Sequence, residues 1–141
     1  MILISEELVE QIKKHGEKTY PHECGGMLIG RFDAEKGKQI VELLPMENAM
    51  DEAKRHNRVL ILPKDVLRAE RFAREKKLDV VGYYHSHPDD QAVPSQFDLD
   101  HALPVWSYII VSVLQSKAAD VRSWQMENDR SKFNEEILSD K

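Results

Sequence analysis

Residues 82–88 of this chain have the sequence GYYHSHP, and residues 95–98 have the sequence SQFD. His85 and His87 are two residues apart, so on an extended segment both imidazoles point to the same side. Two imidazoles on one side are suitable ligands for a single metal ion. Pro88 disfavours helical backbone angles at His87, which helps to keep the segment extended. Taken alone, a His-x-His pair is also compatible with two polar residues at the end of a strand.

Ser95 and Asp98 lie three residues apart and would face one direction in the first turn of a helix. The same spacing is typical of a capping pair that satisfies the free amides of a helix N-terminus. The two roles are compatible, because a capping serine still presents its hydroxyl. Rival carboxylates are Asp89 and Asp90, in a predicted loop, and Asp100, which points about 140° away from Ser95 on the helix.

The surrounding sequence predicts alternating helices and strands, hence an α/β sandwich with a mixed sheet. Ser5 is a candidate cap for a first helix that stops by Pro21. The other predicted helices are Lys64 to Lys77, opened by Pro63, and Ser95 to Leu103. The predicted strands are Cys24 to Phe32, Gln39 to Leu44, Val59 to Leu62, Asp79 to Tyr84, Val105 to Leu114 and Val121 to Met126. Gly25 and Gly26 indicate a bulge or a close approach.

Composition narrows the class of protein. The chain has 141 residues with 20 basic and 25 acidic side chains, a net charge of −5. We expect one domain and no partner held mainly by phosphate contacts, which disfavours nucleic acid. No apolar run approaches a membrane span, and no signal peptide is visible in residues 1–10, so we expect a cytoplasmic protein. Cys24 is the single cysteine, which excludes an intramolecular disulfide and a zinc knuckle of several thiolates.

A family resemblance combines these features. His85-Ser86-His87-Pro88, six residues, Ser95, two residues and Asp98 resemble the JAMM motif of the MPN (Mov34, PAD-1) metallopeptidase family. Residues 21–30, PHECGGMLIG, are similar to the strand that carries the family's catalytic glutamate. Asn48 also lies where members often have an asparagine. The resemblance covers about residues 21–126 and implies an MPN-type, cytidine-deaminase-like α/β fold, with a mixed sheet flanked by helices in one domain.

The resemblance also implies site residues. It assigns His85, His87 and Asp98 as ligands of a catalytic zinc ion, with water in the fourth position. It assigns Glu23 as the base that takes the proton of the water and later delivers it to the leaving amine. Ser95 would donate a hydrogen bond to the oxyanion. Zn²⁺ with ionised Asp98 and Glu23 sums to zero charge, so proton transfer to Glu23 creates no net buried charge.

The implied activity is that of a zinc metallopeptidase, a hydrolase of the JAMM type. Compact members are similar to prokaryotic enzymes that act on ubiquitin-like proteins and cut after a carboxyl-terminal diglycine. Two substrates stay open: a sulfur-carrier protein with a C-terminal amino-acid adduct, and a ubiquitin-like modifier on a lysine. The alternatives are a non-catalytic MPN scaffold, which usually lacks ligands, and a RadC-like DNA-associated role.

Three further expectations concern a peptide-binding edge, the C-terminal tail and the remaining histidine, cysteine and aromatic residues. The polar segment 47–58 and the following strand are a candidate edge for binding an extended peptide. Phe133 and Ile137 lie four residues apart, which favours a short final helix within the polar tail 127–141. The remaining side chains are expected to be structural: His15, His22, His56 and His101 at the surface, Cys24 as a small buried residue, and Trp106, Tyr108 and Trp124 in the core.

Overall fold

The computed structural model describes residues 1–33, 35, 37–46 and 62–139. The helices are α1 (Glu6–Thr19), α2 (Pro63–Glu75) and α3 (Gln96–His101). The strands are β1 (Ile2–Leu3), β2 (Gly25–Asp33), β3 (Gly37–Met46), β4 (Asp79–Pro88), β5 (Ser107–Leu114), β6 (Lys117–Met126), β7 (Phe133–Glu136) and β8 (Leu138–Ser139). The expected peptide-binding segment 47–58, with Asn48 and His56, lies outside the described residues. Of the expected strand Val59 to Leu62, only Leu62 is described, and it precedes α2 as its N-cap.

The helices begin where their capping residues stand. Ser5 precedes α1, and its hydroxyl accepts a hydrogen bond from the amide of Leu8 at 3.2 Å. Pro63 opens α2, and the carboxylate of Asp65 accepts from the amide of Leu62 at 3.2 Å. Within the described residues, no helix is both long and apolar enough to span a membrane.

All eight strands belong to one mixed sheet with the order β7-β6-β5-β4-β2-β3-β1-β8. β4 and β5 are parallel, whereas β2 pairs antiparallel with both β3 and β4. β5 is central, and every residue from Ser107 to Val113 is buried, as its apolar sequence predicted. One apolar cluster includes Ile12 of α1, and the other includes Ala69 of α2, so helices cover both faces.

The C-terminal tail does not form the expected helix. Residues 133–136 form β7 beside β6, and residues 138 and 139 form β8 beside β1, at the two ends of the sheet order. Only Ile137 separates these strands, and its carbonyl accepts from the amide of Ile2 at 3.0 Å. The sheet therefore curls until the tail bridges its edges, and pairing of the tail backbone with two strands outweighs the local helical spacing.

Gly26, in the glycine pair that begins β2, has a packing role. A Cβ atom on Gly26 would lie 2.3 Å from the ring of Tyr84 on the neighbouring strand β4. The expected close approach therefore occurs, against a side chain of the strand that carries the histidines. The irregular register in β2 lies further along, at residues 28–30. Because Gly26 has no side chain, the ring of Tyr84 can lie against the backbone of β2 at this position.

Candidate metal centre

The two histidines lie inside β4 rather than after it. Strand β4 continues to Pro88 because its parallel pairing with β5 extends as far as Val113. The Nε2 atoms of His85 and His87 face each other at 3.2 Å, and both side chains are buried. The Nδ1 atom of His87 lies 2.8 Å from the carbonyl of Gln91, which can only accept. His87 therefore donates from Nδ1, and its Nε2 is left to act as a ligand.

Asp98 joins the histidine pair from the first turn of α3. Its carboxylate oxygens lie 3.1 Å from Nε2 of His85 and 3.2 Å from Nε2 of His87. Ser95 caps this helix: its hydroxyl accepts from the amide of Asp98 at 3.1 Å, and the Asp98 carboxylate accepts from the amide of Ser95 at 2.8 Å. The capping pair therefore consists of the candidate ligand Asp98 and the candidate oxyanion donor Ser95, and the cap fixes where the Asp98 carboxylate lies.

The converging side chains match the donor set of a zinc site. Ligand atoms at about 2.0–2.1 Å from a tetrahedral ion are about 3.3 Å from one another. The two Nε2 atoms are 3.2 Å apart, Oδ1 of Asp98 lies 3.1 Å from Nε2 of His85, and Oδ2 of Asp98 lies 3.2 Å from Nε2 of His87. Two imidazole nitrogens and a carboxylate directed at the same point can each offer a lone pair to one divalent cation. The residues of this centre thus suit a divalent ion such as zinc.

Glu23 approaches the histidines from the segment between α1 and β2. The side-chain ligand atoms of Glu23, His85 and His87 all lie within 4.8 Å of one another, and all three residues are buried. The neighbouring residue sets this position: the amide of Cys24 donates to the Ser86 hydroxyl at 2.8 Å, and the amide of Ser86 donates to the Cys24 carbonyl at 3.2 Å. Glu23 is thereby held opposite the strand segment that carries both imidazoles.

Burial and charge set the protonation states of the carboxylates. Burial raises the pKa of Glu23 to about 7, although the charges of His85 and His87 act in the opposite direction. Burial also acts to raise the pKa of Asp98, but the charges and hydrogen bonds of the two imidazoles outweigh it and hold that pKa well below its usual range. Asp98 is therefore a carboxylate at neutral pH, whereas Glu23 is able to exchange a proton there.

The His87 imidazole responds to the same environment. Burial is the largest single effect and lowers the pKa of His87. The hydrogen bond and charge of Asp98, the charge of Glu23 and the hydrogen bond to the Gln91 carbonyl raise it, and together they outweigh burial. The net result is a raised pKa. A cation is thus favoured between these side chains, either as a proton on the ring or as a bound metal ion.

The other carboxylates considered as third ligand have hydrogen-bond partners outside the metal centre. Asp89 binds the Tyr20 hydroxyl and the amide of Gln115, and Asp90 caps the amide of Gln91. The carboxylate of Asp100 accepts from the Gln96 side chain at 2.8 Å. Of the carboxylates weighed on α3 and the preceding loop, that of Asp98 is the one placed against both imidazoles.

Two other predicted surface histidines have partners or burial that the sequence did not indicate. His15 is half-buried, and its Nδ1 lies 2.7 Å from the hydroxyl of Tyr84. Nδ1 of His22 is buried without a hydrogen-bond partner among the described residues. His101 is exposed and packs on the Phe97 ring at 4.1 Å between centroids. Cys24 is a free, buried cysteine, as expected.

Two residues that support the site escaped sequence analysis. Ser86, completely buried between the two histidines, holds the backbone of Cys24 beside Glu23. Arg130, between β6 and β7, donates to the carbonyls of Leu99 and Asp100 at 3.2 and 3.3 Å and to that of Ala102, which lie at the C-terminal end of α3. The serine lies inside the motif itself, which was a local signal, whereas nothing near Arg130 in sequence points to α3.

The chain is similar to known proteins over most of its length. Residues 5–127 match the family model described as prokaryotic homologs of the JAB domain. No curated protein matches the chain significantly. A solution structure from Salinibacter ruber (strain DSM 13855) is 34% identical, covers 96% of this chain and 88% of its own, and has a TM-score of 0.74. One from Desulfitobacterium hafniense is 27% identical, covers 100% and 94%, and has a TM-score of 0.83.

A more distant structure shows the fold alone. A crystal structure described as a JAB1/MPN domain protein from Archaeoglobus fulgidus is 19% identical, covers 99% of this chain and 95% of its own, and has a TM-score of 0.60. The mixed sheet flanked by helices is thus the JAB1/MPN fold, and the His-x-His pair with Asp98 and Glu23 lies where β4, α3 and the start of β2 meet. From the family match and the 34% identity over nearly the whole chain, we conclude that this protein belongs to the family of prokaryotic homologues of the JAB domain.

Proposed function

We propose that this protein is a zinc-dependent peptidase that hydrolyses the amide bond after the C-terminal diglycine of a ubiquitin-like or sulfur-carrier protein. The observation that carries the proposal is the convergence of the His85 and His87 Nε2 atoms and the Asp98 carboxylate, with contacts of 3.1 to 3.2 Å between each pair of side chains and buried Glu23 beside them. A solved structure with the same fold, 20% identical and with a TM-score of 0.57, is described as a metalloprotease-like zinc site in the proteasome and signalosome.

His85, His87 and Asp98 would hold the zinc ion. When bound, zinc supplies Lewis-acid chemistry, which makes a water molecule acidic enough to react near neutral pH. Glu23 then has two tasks: its carboxylate accepts the proton of the attacking water and returns that proton to the leaving amine. Glu23 is buried, and its ligand atom lies within 4.8 Å of those of both histidines, which suits a group that exchanges a proton with a water molecule at the centre.

Ser95 has one hydrogen free for the reaction. Its oxygen accepts from the amide of Asp98, so the hydroxyl proton remains able to point elsewhere. We assign that proton to the oxygen of the scissile carbonyl, where negative charge develops as the carbon becomes tetrahedral. The capping contact would then hold the donor in place before substrate binds.

The choice of substrate depends on the resemblance to compact family members. A diglycine tail offers no side chain before the bond, so its recognition depends on backbone hydrogen bonds. A non-catalytic scaffold is the main alternative. The presence of all three candidate ligands and of the buried glutamate argues against it, because a scaffold has no use for a buried carboxylate with a raised pKa.

The test combines metal analysis with intact-mass measurement. Zinc-loaded wild-type protein is incubated with ubiquitin-like proteins that carry either a C-terminal extension after Gly-Gly or a lysine isopeptide. We expect one zinc per chain and cleavage directly after the diglycine. The double variant His85→Ala with His87→Ala should hold almost no zinc, and Glu23→Gln should keep zinc while losing hydrolysis by about 10²–10⁴-fold. Full zinc occupancy in the histidine variant, or wild-type hydrolysis by Glu23→Gln, contradicts the assignment.

A further inference from the structure

A cavity of about 190 Å³ lies directly beside the candidate metal centre, between the sheet, α2 and α3. Most of its lining is apolar or aromatic and comes from β2, α2, β4, α3, β5 and the loop between α3 and β5, principally Met27, Val66, Tyr83, Phe97, Trp106 and Tyr108. Trp106 and Tyr108 therefore do more than fill the core, since both also form a wall of this space. We refer to it below as the apolar cavity.

The apolar cavity and the metal centre share a wall. His85 and Asp98 line the cavity and are also two of the three candidate ligands. A peptide bound with its scissile bond at the centre would therefore have this cavity within reach of an adjacent side chain. An unrelated cavity elsewhere in the protein would lack this continuity.

Size and polarity select the kind of group that fits. A cavity of roughly 150 Å³ lined by apolar side chains accommodates benzene. At about 190 Å³, the apolar cavity has room for one side chain the size of phenylalanine or leucine. Its lining includes His85, Asp98 and His101, whereas residues such as Val66, Phe97 and Trp106 offer no charge to a polar substrate group. Water is held weakly against such residues, so an apolar group displaces it favourably.

We propose that the apolar cavity is the specificity pocket for a large apolar side chain on the residue that follows the scissile bond. The inference rests on the proposed function: two glycines precede that bond, so a side chain near the centre must come from the leaving residue. The preferred substrate is then a diglycine tail extended by an aromatic or leucine-like residue. A lysine isopeptide, which presents an unbranched stem there, would be a poorer substrate.

The test uses binding as well as hydrolysis. Zinc-loaded Glu23→Gln protein is titrated with acetyl-Gly-Gly-X peptides, where X is phenylalanine, leucine, alanine or aspartate, by calorimetry or NMR. We expect the phenylalanine and leucine peptides to bind at least about 10-fold more tightly than the alanine peptide. Val66→Phe, which narrows the cavity from α2, should abolish that preference. Leu67→Phe is the matched control: the same helix gains the same ring at a position that is 62% exposed, and the preference should persist.

Each outcome bears on one proposal. Equal binding of the alanine and phenylalanine peptides, binding of none of them at millimolar concentration, or an unchanged preference in folded Val66→Phe overturns the pocket assignment. Tighter binding of acetyl-Gly-Phe-Gly, with the ring before the bond, also overturns it. If wild-type protein binds the phenylalanine peptide selectively but hydrolyses no peptide or protein, the cavity still selects apolar side chains and the proposed peptidase activity is refuted. If alanine and phenylalanine extensions are cleaved at equal rates, the proposed peptidase activity is supported and the pocket assignment is refuted.

Discussion

Lys38 of β3 and Glu136 of β7 form a buried ion pair at 3.8 Å, with each side chain 8% exposed. The lysine also donates to the Ser107 hydroxyl at 2.7 Å, and Glu136 accepts from the Ser123 hydroxyl at 3.0 Å. Four strands thus meet at one polar cluster inside the curled sheet. Burial lowers the pKa of Lys38, and Glu136 partly offsets this effect. The pair connects the C-terminal tail to the opposite side of the sheet.

We expect Lys38→Met to destabilise the fold by about 3–5 kcal/mol, because it leaves Glu136 as an uncompensated buried charge. The double variant Lys38→Met with Glu136→Leu should recover most of that loss. Urea unfolding of the two single variants and the double variant measures the coupling. A double variant that is as unstable as the sum of the singles would show that the two charges do not depend on each other.

Arg130 should act on metal affinity through α3. Its guanidinium holds carbonyls at the end of the helix whose first turn carries Asp98, so Arg130→Ala loosens that carboxylate. Loss of such supporting contacts typically weakens metal binding by about 10–100-fold. Competition with a chelator measures the zinc affinity. Arg122→Ala is the control, since this exposed arginine pairs with Asp120 and touches no part of α3 among the contacts described. Equal zinc affinity in the two variants would rule out the positioning role.

Ser86→Ala should separate turnover from metal binding. The change leaves the buried amide of Cys24 without its acceptor and frees the segment that carries Glu23. We expect a stability loss of about 1–3 kcal/mol and a fall in kcat of as much as about 100-fold, with zinc content unchanged. Ser107→Ala is matched in burial and in losing one hydroxyl contact, but it lies away from Glu23 and should keep kcat. A similar kcat in both variants would mean that Ser86 contributes only to stability.

The raised pKa of Glu23 predicts a pH-dependent stability in the metal-free protein. The folded chain binds this proton more tightly than the unfolded chain, so the contribution is complete below pH 4.5 and is lost as the pH rises through about 7. That difference of about 2.5 pH units corresponds to about 3 kcal/mol. The stability of Glu23→Gln relative to wild type should therefore increase from pH 5 to pH 8. Urea unfolding with a chelator measures it, and a constant difference would contradict the assigned pKa.

Ser95→Ala distinguishes the two roles of its hydroxyl. If Ser95 only caps α3, the variant loses roughly 1 kcal/mol of stability and keeps its turnover. If it also donates to the reacting oxygen, kcat falls by about 10²–10³-fold while zinc is retained. We expect the second result. Thermal melts and kinetics on the same zinc-loaded variant decide between them.

Local sequence was sufficient for the elements and for part of the site. The caps at Ser5 and Ser95, the apolar run of β5 and the two-residue spacing of the histidines each depend on neighbours within a few positions. The periodicities of strands and helices relate residues that are two to four positions apart, so these features could be predicted from the sequence alone. The assignment of Glu23 came from family resemblance instead, because 62 residues separate it from His85.

The tertiary structure decided what depends on distant partners. Strand β4 runs through both histidines because β5 pairs with it, and the tail forms β7 and β8 because β6 and β1 offer unpaired edges. Spacing within the tail favoured a helix, but backbone groups at two open edges stabilise a strand there more strongly. Chain packing also decided three contacts between residues that local periodicity cannot relate. These are the hydrogen bond of Ser86 beside Glu23, the contact of Arg130 with α3, and the Lys38–Glu136 pair.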